Sequence, residues 1–146
     1  MSIENPPQIP VMPPQPLTPA EERQWAMFAH LSVLLNLVTG YLGVVAPLVI
    51  YMIYKDRSRF VAYHSLQSLI MQAICWFGGS VLALITSVLS GVVPVIGLLC
   101  LPLACIFWLL PLAALIYGTI GGIQINQGQD FKYWLVGDWV QNSFMK

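Results

Sequence analysis

The amino-acid sequence predicts an all-α integral membrane protein, a helical bundle with four hydrophobic helical segments. Charge is the first reason: residues 60–129 contain no Asp, Glu, Lys or Arg, and residues 24–54 contain none either. Composition is the second, because 8% of the residues are charged and 58% are hydrophobic, whereas about 25% of a soluble chain is charged. A bilayer core of about 30 Å is crossed by about 20 apolar helical residues, so both stretches are long enough to enter a membrane.

Composition also limits the classes of function. Six basic and six acidic residues give a formal net charge of zero, so the basic patch of a nucleic-acid-binding protein is missing. The cysteines are odd in number and form no CxxC pattern, which disfavours a disulfide framework or a zinc site. No nucleotide-binding, metalloprotease or hydrolase motif is present. We therefore predict no catalytic residue, no cofactor, no metal site and no small-molecule substrate.

Residues 1–18 are predicted to form a proline-rich extended arm outside the bilayer. Seven of the eleven prolines lie in residues 1–19, and proline removes backbone donors and favours extended polyproline structure. The arm could be a simple spacer, or a strap that becomes ordered on a partner protein.

A transmembrane helical domain is predicted over residues 19–128. It begins at a capping box formed by Thr18 and Glu21, and Trp25 follows at a position typical of a membrane interface. Residues 25–54 would extend about 45 Å as one helix, but polar and glycine residues interrupt them near the middle. We favour two short helices, roughly 19–38 and 43–54, folded as a hairpin. One broken, tilted pass is the alternative.

Residues 55–59 form the one dense charged loop, and three of the five residues are basic. The positive-inside rule places this loop in the cytoplasm. A long helix is predicted over about 60–90, a turn over 91–97, and a last helix over about 98–127. The protein is therefore expected in a membrane as a multi-pass protein, with the bacterial inner membrane favoured and both termini cytoplasmic if the first two segments form a hairpin.

The helix after the basic loop carries a polar and small face. Its members recur at intervals of four, four, three and four residues, which keeps them on one side of a helix. They are His64, Ser68, Gln72, Cys75 and Gly79. In lipid such a face packs against other helices through hydrogen bonds. The alternative is a polar path through the bilayer, although no carboxylate lies on this face.

The last helix carries a stripe of small residues, Ala114, Gly118 and Gly122. Such a repeat allows close approach of another helix, from this chain or from a different protein. His30 and His64 each lie near the expected cytoplasmic end of their helix. Two histidines on different helices can ligate one haem iron, but hydrogen bonding to neighbouring helices or loops is the favoured interpretation.

Residues 129–146 are predicted to form an aromatic interfacial tail. Aromatic residues alternate with charged ones, and the segment is too short and too polar to cross a bilayer. Trp134 and Trp139 could lie at headgroup level, or they could dock on a partner subunit, where tryptophan supplies a large contact area.

Five blocks of sequence resemble a known family. They are residues 18–32, Pro47–Tyr51, Lys55–Asp56, Phe60–Leu69 and Gly128–Tyr133. The chain is similar over about residues 18–140 to small, uncharacterised bacterial membrane proteins that resemble the twenty-kilodalton membrane subunit of the chloroplast inner-envelope translocon. Trp134 is a departure, because that family often has proline after the final tyrosine. The resemblance implies a compact helical membrane domain without catalytic residues.

These observations predict a non-catalytic accessory or structural subunit of a larger membrane protein complex. Its expected partners are other membrane protein subunits and the lipid bilayer. The alternative is a component of protein translocation or transport, as the plastid relative suggests, in which the face from His64 to Gly79 lines a path.

Overall fold

The computed structural model describes residues 15–145, and over this range the chain is helical and contains no strand. Most of the predicted proline-rich arm, residues 1–14, therefore lies outside the described residues. The helices are α1 (Pro19–Leu31), α2 (Asn36–Thr39), α3 (Val45–Tyr54), α4 (Arg59–Gln72), α5 (Gly79–Val92), α6 (Pro94–Asn126) and α7 (Trp134–Phe144). The all-α prediction is confirmed, but the helices are shorter and more numerous than four uninterrupted segments.

Helix α1 begins at the predicted capping box. The Thr18 hydroxyl accepts a hydrogen bond from the Glu21 backbone N–H at 3.3 Å, and the Glu21 carboxylate accepts from the Thr18 N–H at 2.7 Å. These bonds hold the pKa of Glu21 below its usual value. The start of α4 is tied to the same region, because the Ser58 hydroxyl donates to the Glu22 carboxylate and also caps the Val61 N–H.

Residues 19–54 fold as a helical hairpin. After α1 the chain continues through a 3-10 turn, Ser32–Leu35, into α2, and it reverses at Gly40, whose φ of 76° is in the left-handed region that glycine adopts without strain. Helix α3 then returns beside α1, so that the rings of Trp25 and Tyr54 lie 4.9 Å apart. The chain thus reverses where the sequence predicted an interruption. A 3-10 turn divides the first predicted helix, and the second begins two residues later than predicted.

Two long helices form the rest of the bundle. Helix α4, a π-helical turn at Ala73–Gly78 and α5 make one continuous run of 34 residues, Arg59–Val92. Helix α6 has 33 residues and returns antiparallel to it. Each run is about 50 Å long at 1.5 Å per residue. The chain reverses within the predicted turn over 91–97, but the turn is shorter than predicted. Helix α5 extends to Val92 and α6 already begins at Pro94, a first-turn position where the missing N–H of proline is not needed.

The helices pack differently in the two halves of this bundle. Near the loop 55–59, α1 lies between α4 and α6, and α3 packs against α4. Beyond the π-helical turn, α5 packs against α6. Three buried apolar clusters of the described chain lie in the first half, around Ala26 and Ile125, around Ala29 and Val61, and around Val33 and Ala114.

Charge and apolar surface are segregated along the bundle. The charged residues within 15–145 lie in the start of α1, the loop 55–59 and residues 130–138, which together form what we call the charged end. The opposite end, at Val93, is the far end. Along the length between them, large apolar side chains face outward, such as Leu98, which is 76% exposed. Both long runs are long and apolar enough to cross a membrane, and a lipid-facing surface explains their exposure.

Candidate functional site

A cluster of buried polar side chains lies in the half of the bundle nearest the charged end, where α1, α4 and the segment after α6 meet. Each member is at most 5% exposed. The members are His30, Ser32, Asn36, His64, Gln67, Ser68, Gln72 and Tyr133. A polar group buried between apolar helices is costly unless it is hydrogen-bonded, so the partners of these side chains decide what the cluster does.

Gln72 is the centre of the deeper part of the cluster. Its Oε1 accepts from Asn36 Nδ2 at 3.0 Å, and its Nε2 donates to the hydroxyls of Ser32 at 3.0 Å and Ser68 at 3.2 Å. Asn36 Oδ1 in turn accepts from the Gly43 backbone N–H at 2.8 Å. This network joins α4 to α1, to the 3-10 turn after it and to the hairpin turn.

The two serine hydroxyls explain how α1 can change geometry inside the bundle. Both donate to the Ala29 carbonyl at 2.7 Å. Because α1 passes into a 3-10 turn at Ser32, carbonyls near this transition need additional donors. Ser32 and Ser68 supply them from within the bundle.

The histidines form the outer part of the cluster. Gln67 Nε2 lies 2.9 Å from His64 Nδ1, and Gln67 Oε1 accepts from the Tyr133 N–H at 3.3 Å. This pairing fixes the orientation of the Gln67 amide and makes His64 Nδ1 an acceptor. His30 Nε2, 3.4 Å from the same atom, is then a donor, and His30 Nδ1 accepts from the Tyr133 hydroxyl at 3.0 Å.

Tyr133 is suited to the donor role. Burial raises the pKa of its hydroxyl well above the ordinary value, so the proton is retained. The bonds run in one direction, from Tyr133 to His30 to His64, and they involve neutral imidazoles. They attach the segment after α6 to α1 and α4 over 103 residues of sequence separation.

The cluster is better suited to holding the helices together than to binding a metal ion or a haem. Among the residues that the structure describes, no group of three or more His, Cys, Asp or Glu side chains could hold a metal ion. His30 Nε2 and His64 Nδ1 face each other at 3.4 Å, which leaves no space for a haem between the rings. Most of the cluster side chains bond to one another or to the backbone, but His64 Nε2 has no partner. His64 also lines an open cavity at the charged end, together with Asp130 and Lys132.

The residues of the predicted polar face on the helix after the basic loop do not all contact the same part of the protein. His64, Ser68 and Gln72 belong to the cluster. Cys75 is 3% exposed and packs with Val33 and Ala114. Gly79 lies past the π-helical turn and faces α6, because a Cβ there would meet the Phe107 carbonyl at 3.1 Å.

The small-residue stripe of α6 receives α1 and its extension. A Cβ on Gly118 would lie 3.0 Å from Val33 Cγ1, and one on Gly122 would lie 2.9 Å from Leu31 Cδ2. Ala114 is 2% exposed at the same interface. The close partner of this stripe is therefore another part of the same chain.

The two tail tryptophans lie on the outer face of α7. Trp134 is 77% exposed and Trp139 is 52% exposed. Helix α7 is held to α4 by its opposite face, where Gly137 and Val140 are buried. The aromatic surface of the two tryptophans is thus available for contact with lipid or with another protein.

Sequence analysis missed four members of the cluster: Ser32, Asn36, Gln67 and Tyr133. Asn36 was interpreted as part of a helix break, and Gln67 lies off the four-residue spacing of the predicted face. Tyr133 is distant in sequence. Asparagine and glutamine are rare in apolar segments, and a buried amide needs a hydrogen-bond partner. Because both apolar segments contain such amides, the sequence could have indicated that amides of the two segments bond to each other.

Replacing Gln72 with leucine should destabilise the folded protein by about 2 kcal/mol, because Asn36 and two serines lose a partner in an apolar environment. Unfolding of the purified protein in detergent, followed by circular dichroism, measures the effect. Gln124→Leu is the matched control, since Gln124 lies outside the cluster, and it should change stability by less than about 0.5 kcal/mol. Equal stability of the two variants would contradict a packing role.

Comparison with known proteins gives one family match. The model of the MamF/MmsF family, described as the magnetosome magnetite crystal formation protein family, matches residues 21–140. No curated protein and no solved structure matches the chain. The predicted resemblance to a translocon subunit is wrong, because the blocks that carried it fall almost wholly within the stretch matched by the magnetosome family. Apolar helices of unrelated membrane proteins share hydrophobicity, which makes such a resemblance unspecific.

Proposed function

Because the chain belongs to the MamF/MmsF magnetosome magnetite crystal formation protein family, we propose that it is a non-catalytic, multi-pass structural subunit of the membrane assembly that supports magnetite crystal formation. The buried cluster holds its helices together, and the exposed surfaces at the charged end contact partner subunits.

The topology follows from the position of the charged end. The loop 55–59 carries Lys55, Arg57 and Arg59, and basic loops stay on the cytoplasmic side. The start of α1 and residues 130–138 lie at the same end, as the bond from Ser58 to Glu22 illustrates for α1. The far end, at Val93, then faces the opposite side of the membrane.

One observation carries the non-catalytic role: most polar side chains buried in the apolar region bond to one another or to the backbone. Among the described residues, His64 Nε2, Ser65 Oγ and Trp76 Nε1 are the buried side-chain atoms that have no partner. The Gln72 amide has partners on both its oxygen and its nitrogen. Residues 60–129 contain no acid or base other than His64 and the weakly acidic tyrosines and cysteines, so no carboxylate is available there for proton transfer or metal binding.

Helix α7 is the best candidate for a partner contact. It is anchored to α4 by Gly137 and Val140, while Trp134, Trp139 and Phe144 face outward. Exposed tryptophans at the edge of a bundle are typical of interface anchors, because they bury a large area with little loss of side-chain freedom. We propose that this face binds another subunit of the magnetosome membrane.

The double variant Trp134→Ser/Trp139→Ser tests this contact. It should lose most of the membrane proteins that co-purify with the wild type from native membranes in mild detergent, because two aromatic anchors are removed. Quantitative mass spectrometry of the purified complexes measures the loss. Trp108→Leu is the control, since Trp108 is also exposed, at 67%, but lies in the apolar region of α6. Recovery of the same partners at wild-type yield by the double variant would refute the proposal.

A further inference from the structure

The charged half of the bundle is wider than the far half. Four helices, α1, α3, α4 and α6, lie side by side near the charged end, whereas α5 and the first part of α6 pair beyond the π-helical turn. The contacts along α6 show the change of partner. Gly118 and Gly122 lie against the hairpin, but Leu110 and the carbonyl of Phe107 lie against Gly79 of α5.

The hairpin of residues 19–54 stops part of the way along the long helices. At its turn, the Tyr41 hydroxyl donates to Ser80 Oγ at 2.9 Å, and the Tyr41 ring lies 5.0 Å from the ring of Phe77. At 1.5 Å per residue, Ser80 is about 30 Å from Arg59 and about 18 Å from Val92. The hairpin therefore covers about three-fifths of the length of the run Arg59–Val92 and leaves the last part uncovered.

The turn of the hairpin is built to lie in hydrocarbon. Backbone polar groups in lipid must be satisfied by the protein itself. Asn36 accepts from the Gly43 N–H through its side chain and from the Gly40 N–H through its carbonyl, at 2.8 and 2.9 Å. The Thr39 hydroxyl donates to the Leu35 carbonyl at 2.6 Å.

The outer surface of the turn is apolar. Val38 is 88% exposed, and Leu37 and Leu42 are exposed beside it. No charged residue occurs in residues 24–54. These properties continue the lipid-facing surface of the long helices, so the occupant of this surface is lipid. The hairpin enters from the charged end and turns back before it reaches the far end.

We propose that the protein is a membrane-curvature wedge, with four helices side by side toward the cytoplasmic face of the membrane and two toward the opposite face. A helix about 10 Å across occupies roughly 80 Å², so the hairpin adds on the order of 150 Å² to the cross-section toward the cytoplasmic face and nothing at the far end. The leaflet on the convex side of a bent membrane has the larger area. The protein therefore favours membrane that is convex toward the cytoplasm, and at high density it bends flat membrane in that direction.

This inference rests on the membrane insertion in the proposed function and is independent of partner binding through α7. A protein without curvature preference could still assemble through Trp134 and Trp139, and a loss of that assembly would leave the wedge intact. The two proposals can therefore fail separately.

The test uses the full chain in giant vesicles from which a membrane tube is pulled outward, so that the outer leaflet is convex. Two single-cysteine variants, Lys55→Cys and Val92→Cys, are made after the native cysteines are replaced by alanine. A membrane-impermeant fluorescent maleimide added outside then labels only molecules with the charged end outward in the first variant, and only molecules with the far end outward in the second.

The wedge predicts opposite results for the two variants. Molecules labelled at position 55 should be severalfold denser in the tube than on the vesicle, and the ratio should rise as the tube narrows. Molecules labelled at position 92 should be depleted from the same tube. Equal densities in tube and vesicle, or the same preference for both orientations, would overturn the proposal. Unchanged thermal unfolding of both variants verifies that the compared proteins are folded.

Discussion

The Gly43→Ala variant should lose about 3 kcal/mol of stability, because overpacking and a weakened hydrogen bond act at one position. An alanine Cβ there would lie 2.5 Å from Asn36 Oδ1 and 2.6 Å from the Ser32 carbonyl oxygen. Neither atom can move freely. Asn36 is held by Gln72 through a 3.0 Å bond, and the Ser32 carbonyl belongs to the backbone.

The consequence should extend beyond the substituted residue. Movement of Asn36 away from position 43 releases the Gly43 N–H, which needs a partner in an apolar environment. It also disturbs Gln72 and thereby the bonds to Ser32 and Ser68. The hairpin should separate from α4 at its turn, while α5 and α6 remain paired.

Gly78→Ala is the matched control. It is also a glycine-to-alanine change at a helical position, but a Cβ there has no heavy atom within 4 Å. Alanine should be neutral, or it should stabilise the helix by about 0.5–1 kcal/mol. Thermal unfolding in detergent, with helix content as the signal, compares the two variants. If Gly43→Ala is as stable as Gly78→Ala, the close contact at the hairpin turn is not a feature of the folded protein.

The elements with strong local signals were predictable from sequence. The capping box at Thr18 defines the start of α1 because its two hydrogen bonds depend on residues three apart. The interruption near Gly40 indicated the hairpin because glycine allows the positive φ of the reversal. The spacing of His64, Ser68 and Gln72 placed them on one side of α4 for the same local reason.

The composition of the cluster was not predictable because its bonds connect distant segments. The pairs Asn36–Gln72 and His30–Tyr133 are separated by 36 and 103 residues. Periodicity identifies which side of a helix is polar, but it carries no information about which residue of another helix faces it. The packing of α1 between α4 and α6 determines which segments face each other.

The second large effect is expected in the labelling of a cysteine at the hairpin turn. The cysteine should react almost completely if the turn lies in water and hardly at all if it lies in the bilayer. Val38 is 88% exposed, so a cysteine at this position has room for any label. If the turn lies inside the bilayer, Val38→Cys should not react with a membrane-impermeant maleimide applied from either side. Lys55→Cys should react from the cytoplasmic side and Val92→Cys from the opposite side.

A nitroxide attached at position 38 measures the depth directly in the same reconstituted protein. Molecular oxygen concentrates in hydrocarbon and a water-soluble nickel chelate is excluded from it, so their collision rates with the nitroxide separate lipid from water. We expect frequent oxygen collisions and rare chelate collisions at position 38, and the reverse at position 55. Frequent chelate collisions at position 38, from either side of the membrane, would contradict a hairpin that turns back within the bilayer.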